Sequence, residues 1–512
     1  MPEKVLEKLR SSIKAEWKVA FFSALIIGFF THIFIFTNLI PNHDGLFNLY
    51  SEQERYSSGR FFLGIFSGIS SYFYLPWVNG TLSVLYLSLS AVCITELFQL
   101  KKKLSIILCA GILVTFPTVA ATFTYMFTAD GYILSILAAL LALVITKKYR
   151  FGFIPGALVF YLSVGVYQAN LTIVLTIASI WFITELLKQQ DKLSSIIIKL
   201  VHFIMMTVGG MGLYAITFIS YQKFFSGDIT SYQGLDEIGQ GSGNIKEKLL
   251  EIYEENKEFF FNGFISDAPV NLWEILNLVF LIIIVIGIVI TIVQNKVYRS
   301  PIKLVFIAVS IFLTPIFAYS LFFVSPSVDY HMLMVMGHSA VYLLPVIIYD
   351  RLNKPVFSIK AIGWSTVIVS SLIIFNFAVI SNIAYFNASL KYEKSYAVLN
   401  RIVDRIEQLE GYDRETSKIA LIGKLRFKSE VSSANVRDSI PNMTGAMGEL
   451  LLGGRAHYFY FSANFLGSSF NTVSAEELEE ISNSETVENM EPWPSKESVV
   501  MQDDVVVIKL SK

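Results

Sequence analysis

The chain has 512 residues, 54% of them hydrophobic and only 16% charged, against about 25% charged in ordinary soluble domains. With a mean hydropathy of +0.56 and apolar runs of about 18 residues or more, it has too few charges to cover a soluble fold and reads as a multi-spanning membrane protein. A net charge of −1 gives no footprint for nucleic acid, and the two cysteines, Cys93 and Cys109, both lie in apolar runs and argue against a disulfide framework.

The first apolar run, Trp17 to Ile40, is too long for a cleavable signal peptide and lacks a small-residue cleavage site. Apolar runs at 17–40, 77–100, 104–126, 129–146, 152–166, 170–187, 194–221, 272–294, 302–324, 331–349 and 360–384 predict eleven transmembrane helices. Their connections alternate in charge. Lys14 and Lys18 lead into the first run, Lys101 to Lys103 follow the second, Lys147, Lys148 and Arg150 the fourth, and Lys188 and Lys192 the sixth. Lys296, Arg299 and Lys303 follow the eighth and Arg351, Lys354 and Lys360 the tenth, while the connections near Ala129, Tyr167 and Asp329 carry no Lys or Arg. The positive-inside rule then predicts a cytoplasmic N-terminus and, with an odd number of spans, an extracytoplasmic C-terminus in the cytoplasmic membrane.

Three segments fall on the outer side. In 41–76 a polar loop leads into FFLGIFSGISSYFYLP, about 15 apolar residues, too short to span and read as an interfacial helix over 61–75. The segment 222–271 is polar, with a helical stretch around Asn244 to Phe261. Residues 385–512 open with an amphipathic helix whose apolar positions run from Tyr392 to Ile406 at helical spacing. The runs KIALIG, HYFYFS and DVVVIKL read as strands, and Ala475 to Glu491 as a solvated acidic loop. The expected architecture is an all-α polytopic membrane domain over 1–384 and a small extracytoplasmic α/β domain over 385–512.

Ionisable residues at membrane level are costly and need a reason. Asp44, just past the first span, is placed either to take a proton from a hydroxyl nucleophile or as a plain loop carboxylate. Arg55 and Arg60 close the same loop and suit bidentate binding of a phosphate or, more simply, interface anchoring. Asp130 starts the fourth span, as a helix cap or as part of the same site. Tyr167, Gln168 and Asn170 form an outer turn able to bind sugar hydroxyls or to finish helix ends. Asp329 and His331 open the tenth span and suit a phosphate or sugar, while His338, seven residues on, reads as a satisfied interior histidine. No metal-ligand set and no Gly-rich phosphate loop appears.

Together these residues carry a resemblance. Asp44 after the first span, Ser58-Gly59-Arg60 closing its loop, Pro76-Trp77-Val78-Asn79-Gly80 opening the second span and Tyr167-Gln168-Ala169 resemble the Gtr-type glucosyltransferases that modify bacterial O-antigen or wall polysaccharide. These fall in the GT-C class of membrane glycosyltransferases. The resemblance implies a GT-C-like fold and inverting transfer of a sugar, glucose first among candidates, from a polyprenyl-phosphate carrier to a cell-envelope glycan. It implies no cofactor and no metal, with Asp44 as general base; the reading of the residues themselves adds Arg55, Arg60, Asp130, Tyr167, Gln168, Asp329 and His331 as candidate substrate-binding residues. A flippase and a donor-synthesising transferase would be its pathway partners. The chain departs from the family in its isolated acid at Asn42-His43-Asp44-Gly45 and in a C-terminal domain with no recognised counterpart. A transporter or lipid flippase would show repeat symmetry or midplane charges. A non-catalytic assembly protein would not need the acid and arginine of the first loop.

Overall fold

The computed structural model describes residues 2–188, 192–224, 229–231, 233–234, 244–266, 269–325, 327–352, 357–425 and 442–511. In chain order its first helices are α1 (Pro2–Ser12), α2 (Ala15–Thr37), α3 (Leu63–Ser67), α4 (Pro76–Phe98), α5 (Lys103–Thr115), α6 (Pro117–Phe123), α7 (Ala129–Lys148), α8 (Phe153–Val164) and α9 (Asn170–Leu186). They continue with α10 (Leu193–Phe224), α11 (Ile245–Ile265), α12 (Leu272–Gln294), α13 (Pro301–Ala318), α14 (Ser339–Arg351) and α15 (Phe357–Glu407).

All eleven apolar runs fold as helix, but they are unequal. Among the described residues seven helices are long and apolar enough to cross a bilayer: α2, α4, α7 with the turn before it, α10, α12, α13 and α15. α5 and α6 form an eighth candidate, bent by 41°. Pro117 has no N–H to donate and drives Phe116 into extended backbone at ψ 135°, which breaks the helix there. α8, with 12 residues, is about 18 Å long against a hydrocarbon core of about 30 Å. α9 has 17 residues and α14 only 13. The helix expected from residue 331 starts at Ser339, because tertiary partners take the backbone before it. Thr118 donates to the Met332 carbonyl at 2.7 Å, the Met332 N–H donates to the Asn442 carbonyl at 3.1 Å, and Gly337 lies against the Thr172 backbone.

The alternation of charged connections has a counterpart in space: the basic ones converge on one end of the bundle. Lys14 pairs with Glu96 at 2.7 Å and Lys101 with Glu16 at 3.0 Å. Arg351 binds Glu185 at 3.1 Å and also the Thr184 carbonyl, and Lys147 donates to the Leu97 carbonyl. Lys102 donates to the Tyr349 and Leu352 carbonyls at 2.8 and 2.7 Å, and Lys303 to the Lys188 carbonyl at 3.2 Å. Residues from the loop after α2, the turn before α9 and the segment 321–334 meet at the opposite end.

α15 runs for 51 residues and carries the chain without a break across position 384. Its buried side chains belong to the bundle core as far as Ala388 and to a second core from Val398 to Ile406, the amphipathic face read from the sequence. That second core packs on a four-stranded sheet of β1 (Lys418–Ile422), β2 (Asn471–Thr472), β3 (Val499–Gln502) and β4 (Val505–Lys509), in the order β2-β1-β4-β3. β1 is parallel to both neighbours and β3 antiparallel to β4.

Three local expectations change. HYFYFS is helical: Arg455–Phe461 starts after Gly453-Gly454, the Gly454 N–H donates to His457 Nδ1 at 3.0 Å, and Tyr458 and Phe461 bury at i, i+3 rather than alternating. The acidic stretch forms two short helices, Ala475–Ser482 and Glu485–Asn489, whose first turns are capped by Ser474 and Ser484. Of the interfacial stretch only Leu63–Ser67 is α-helical; beyond it Phe73 bridges back to Tyr50, so the segment folds onto its own loop.

Candidate active site

The loop after α2 is built by its own side chains. Asn42, 2% exposed, accepts the Gly45 N–H at 2.7 Å and closes a tight turn over Asp44–Leu46. The Asn48 amide donates to the Asp44 carbonyl at 2.8 Å, so the Asp44 backbone is held from both sides. Its carboxylate is left 52% exposed, with His43 Nε2 at 3.7 Å. Burial holds the His43 imidazole below its ordinary pKa; Asp44 pulls it up, and Lys391 and His457 push it further down.

Arg55 Nη2 donates to Asn48 Oδ1 at 2.6 Å, which ties the far arm of the loop to its start. Arg55 and Arg60 then face each other across a short antiparallel bridge, with Gly59 between them in the left-handed region at φ +68°. A Cβ on Gly59 would fall against the Tyr214 hydroxyl and Gln168 Nε2. Gln168 is itself tied in, donating to the Ser58 carbonyl at 2.8 Å and to the Tyr214 hydroxyl at 2.9 Å. The turn that delivers Arg60 is therefore locked to α10 and to the turn before α9. The Arg60 guanidinium lies 5.6 Å from the Tyr167 ring centre and 5.7 Å from that of Tyr132. Those two rings stack at 4.6 Å with 12° between their planes.

These parts surround one cavity of about 610 Å³ at the end of the bundle away from the basic connections. Of the eight residues expected to act as base or to bind substrate, six line it: Asp44, Arg55, Arg60, Tyr167, Gln168 and His331. Two do not. Asp130 is 1% exposed in the first turn of α7, where an acid complements the helix dipole, and its neighbour Gly131 packs on Ser67 Oγ. Asp329 is exposed, and its backbone N–H donates to a cavity residue, Gln233 Oε1, at 2.7 Å. Sequence reasoning missed Asn48, Tyr132, Tyr214, Gln233 and Thr444, which also line the space. Tyr132 and Tyr214 sit inside apolar runs, and Thr444 is brought in from the C-terminal domain, where its hydroxyl meets that of Tyr125 at 2.9 Å. Among the described lining residues the full charges are two guanidiniums and one carboxylate, a set that can hold an anion beside a base.

Fold and site thus define a polytopic helical membrane protein with a largely apolar cavity, carrying two arginines and a carboxylate, at one end of its bundle. A family model described as Glucosyl transferase GtrII matches residues 33–371, and the chain belongs to that family of glycosyltransferases. The match takes in every lining residue discussed above except Thr444 and stops short of the C-terminal domain. No curated protein and no solved structure matches the chain.

Proposed function

We propose that this glucosyltransferase moves a sugar, glucose foremost, from a polyprenyl-phosphate carrier to a cell-envelope glycan, with inversion and on the outer side of the cytoplasmic membrane. The observation that carries the reading is the shared cavity of Asp44, Arg55 and Arg60. The acceptor hydroxyl attacks the anomeric carbon from the face opposite the phosphate. A new C–O bond forms, the bond to the phosphate oxygen breaks, and its electron pair leaves with the phosphate. Asp44 takes the hydroxyl proton. Arg60, with Arg55 nearby, offsets the charge on the departing phosphate through charge-assisted hydrogen bonds. Phosphate leaves readily, so no general acid is required, and the guanidiniums supply the countercharge that a metal would otherwise give. Tyr167, Gln168 and His331 bind the sugar or phosphate; Asp130 and Asp329 lie outside the lining and act through the residues that form it.

Convergence of the basic connections at the end opposite the cavity supports the orientation. In this reading all eleven apolar helices belong to the membrane domain, the short α9 and α14 being buried among longer neighbours while α8 keeps an apolar face with Ile154 and Leu158 exposed. Two experiments test the proposal. Purified protein given polyprenyl-phosphate glucose and polysaccharide from cells lacking this protein should release polyprenyl phosphate and add glucose to the polysaccharide; the absence of both would sink the donor assignment. Single cysteines at Ser231 and Ser484 should react with an impermeant thiol reagent on intact cells, and one at Ser300 should not; the reverse pattern inverts the topology.

A further inference from the structure

The C-terminal domain does more than rest on the bundle: it grips the turn that carries Asp44. Leu46, fully buried, belongs to the core of that domain rather than to the membrane core, and the Asn464 amide donates to the Leu46 carbonyl at 3.1 Å. The next residue, Phe47, lines the cavity, and its ring meets two rings of the helix Arg455–Phe461 edge-on: Tyr460 at 4.6 Å and His457 at 5.0 Å. Tyr460 is 49% exposed, so much of its ring stays open to solvent. Polar atoms adjoin these rings. His43, which lines the cavity, lies 6.5 Å from His457, whose Nδ1 is engaged by the Gly454 N–H, leaving Nε2 as its other polar atom.

An open aromatic shelf edged by hydrogen-bonding groups matches a pyranose, which has apolar C–H faces and a rim of hydroxyls. The shelf adjoins Asp44 by way of Phe47, on the same turn, whereas the Arg60 turn is locked to α10 and the turn before α9. We propose that Tyr460, Phe47 and His457 form the acceptor subsite, on which a sugar ring of the acceptor glycan stacks so that its hydroxyl reaches Asp44. The C-terminal domain, outside the segment that matches the family model, would then select the acceptor while the membrane domain handles the donor. This rests on the reading of the cavity as the transfer site.

The test uses full-length protein in detergent, polyprenyl-phosphate glucose as donor, and polysaccharide from cells lacking this protein as acceptor. Tyr460→Ala should raise the acceptor KM about tenfold, the size of effect that aromatic stacking carries, without a matching rise in donor KM. Tyr460→Phe, which keeps the ring, should restore most of the acceptor affinity, a rescue that a loss of folding would not show. An unchanged acceptor KM in Tyr460→Ala overturns the subsite and leaves the transfer reading standing. If the wild type transfers no glucose, the transfer reading fails instead. Saturation-transfer NMR of the polysaccharide on the protein then still decides. A saturation signal that vanishes in Tyr460→Ala and persists in Tyr460→Phe supports the shelf; one that persists in Tyr460→Ala refutes it.

Discussion

Asp44 and Asp350 are carboxylates near opposite ends of one helical bundle, and they differ in what their oxygens meet. Asp350, 8% exposed at the basic end, accepts the Lys102 N–H at 2.8 Å and the Lys101 N–H at 3.1 Å. It satisfies donors at the start of α5 that the helix itself leaves open, so its lone pairs are consumed by structure. Asp44 has its backbone fixed by Asn42 and Asn48, yet among the described residues nothing hydrogen-bonds its carboxylate, which is half exposed beside a cavity. Asp44 therefore pairs a fixed backbone with a carboxylate that lines the cavity and meets only His43, at 3.7 Å, among the described residues. The arginines differ in place: Arg351 binds Glu185 and backbone carbonyls at the basic end, while Arg60 lies over two tyrosine rings and lines the cavity.

The largest effect expected from breaking this contrast is at Asp44. Asp44→Asn keeps shape but cannot accept a proton, and should lower transfer by roughly 10²–10⁴-fold, the usual worth of a general base. Membrane insertion and donor binding should persist. Near-normal transfer by Asp44→Asn would remove the base, and loss of transfer in Asp130→Asn alone would move the assignment to that buried acid. Next in size, Arg60→Ala should weaken use of the lipid-phosphate donor by roughly 10- to 100-fold through loss of charge-assisted hydrogen bonds. Arg60→Lys should recover only part, since an ammonium cannot reproduce the planar fork. Donor kinetics unchanged in Arg60→Ala would exclude it from the phosphate site. At the other end Asp350→Ala should cost about 1–3 kcal/mol of stability by stranding backbone N–H groups, read as a lower melting temperature, while the folded fraction keeps its specific activity.

Much of this contrast is legible in the sequence because its causes are local. Apolar length marks the helices, and lysines between them mark the basic end. The spacing of Asp44, Arg55 and Arg60 in one short polar loop puts them at one membrane face whatever the packing. The shortening of the tenth span is not legible, because it depends on Thr118 and Asn442, both remote in sequence, taking the backbone of Met332. HYFYFS misleads for a different reason: alternating aromatics suit a strand, and only packing of Tyr458 and Phe461 on the same core makes it a helix. The aromatic shelf joins residues about 410 apart, Phe47 and Tyr460, and no local pattern announces such a pairing. Pro117 is the opposite case, a break whose signal lies in plain view inside an apolar run.

The smallest effect is expected where charge is most conspicuous. Lys101 and Glu16 form a 3.0 Å ion pair at the basic end, with side chains 71% and 28% exposed. Water and salt screen such a pair, and holding two long side chains in one geometry offsets much of the attraction, so pairs of this kind contribute about 0–1 kcal/mol. Lys101→Ala should therefore leave the melting temperature nearly unchanged and the transfer rate untouched. The Lys101 backbone N–H still reaches Asp350 in that variant, so the start of α5 remains satisfied. If Lys101→Ala instead reduced transfer as strongly as Arg60→Ala, the basic end would have to take part in the reaction, and the division between a structural end and a working end would fail. If only its membrane orientation changed, the lysine would matter as a topology signal during insertion rather than as a contact in the folded protein. Thiol labelling at Ser300 and Ser484 in the Lys101→Ala background separates those two results.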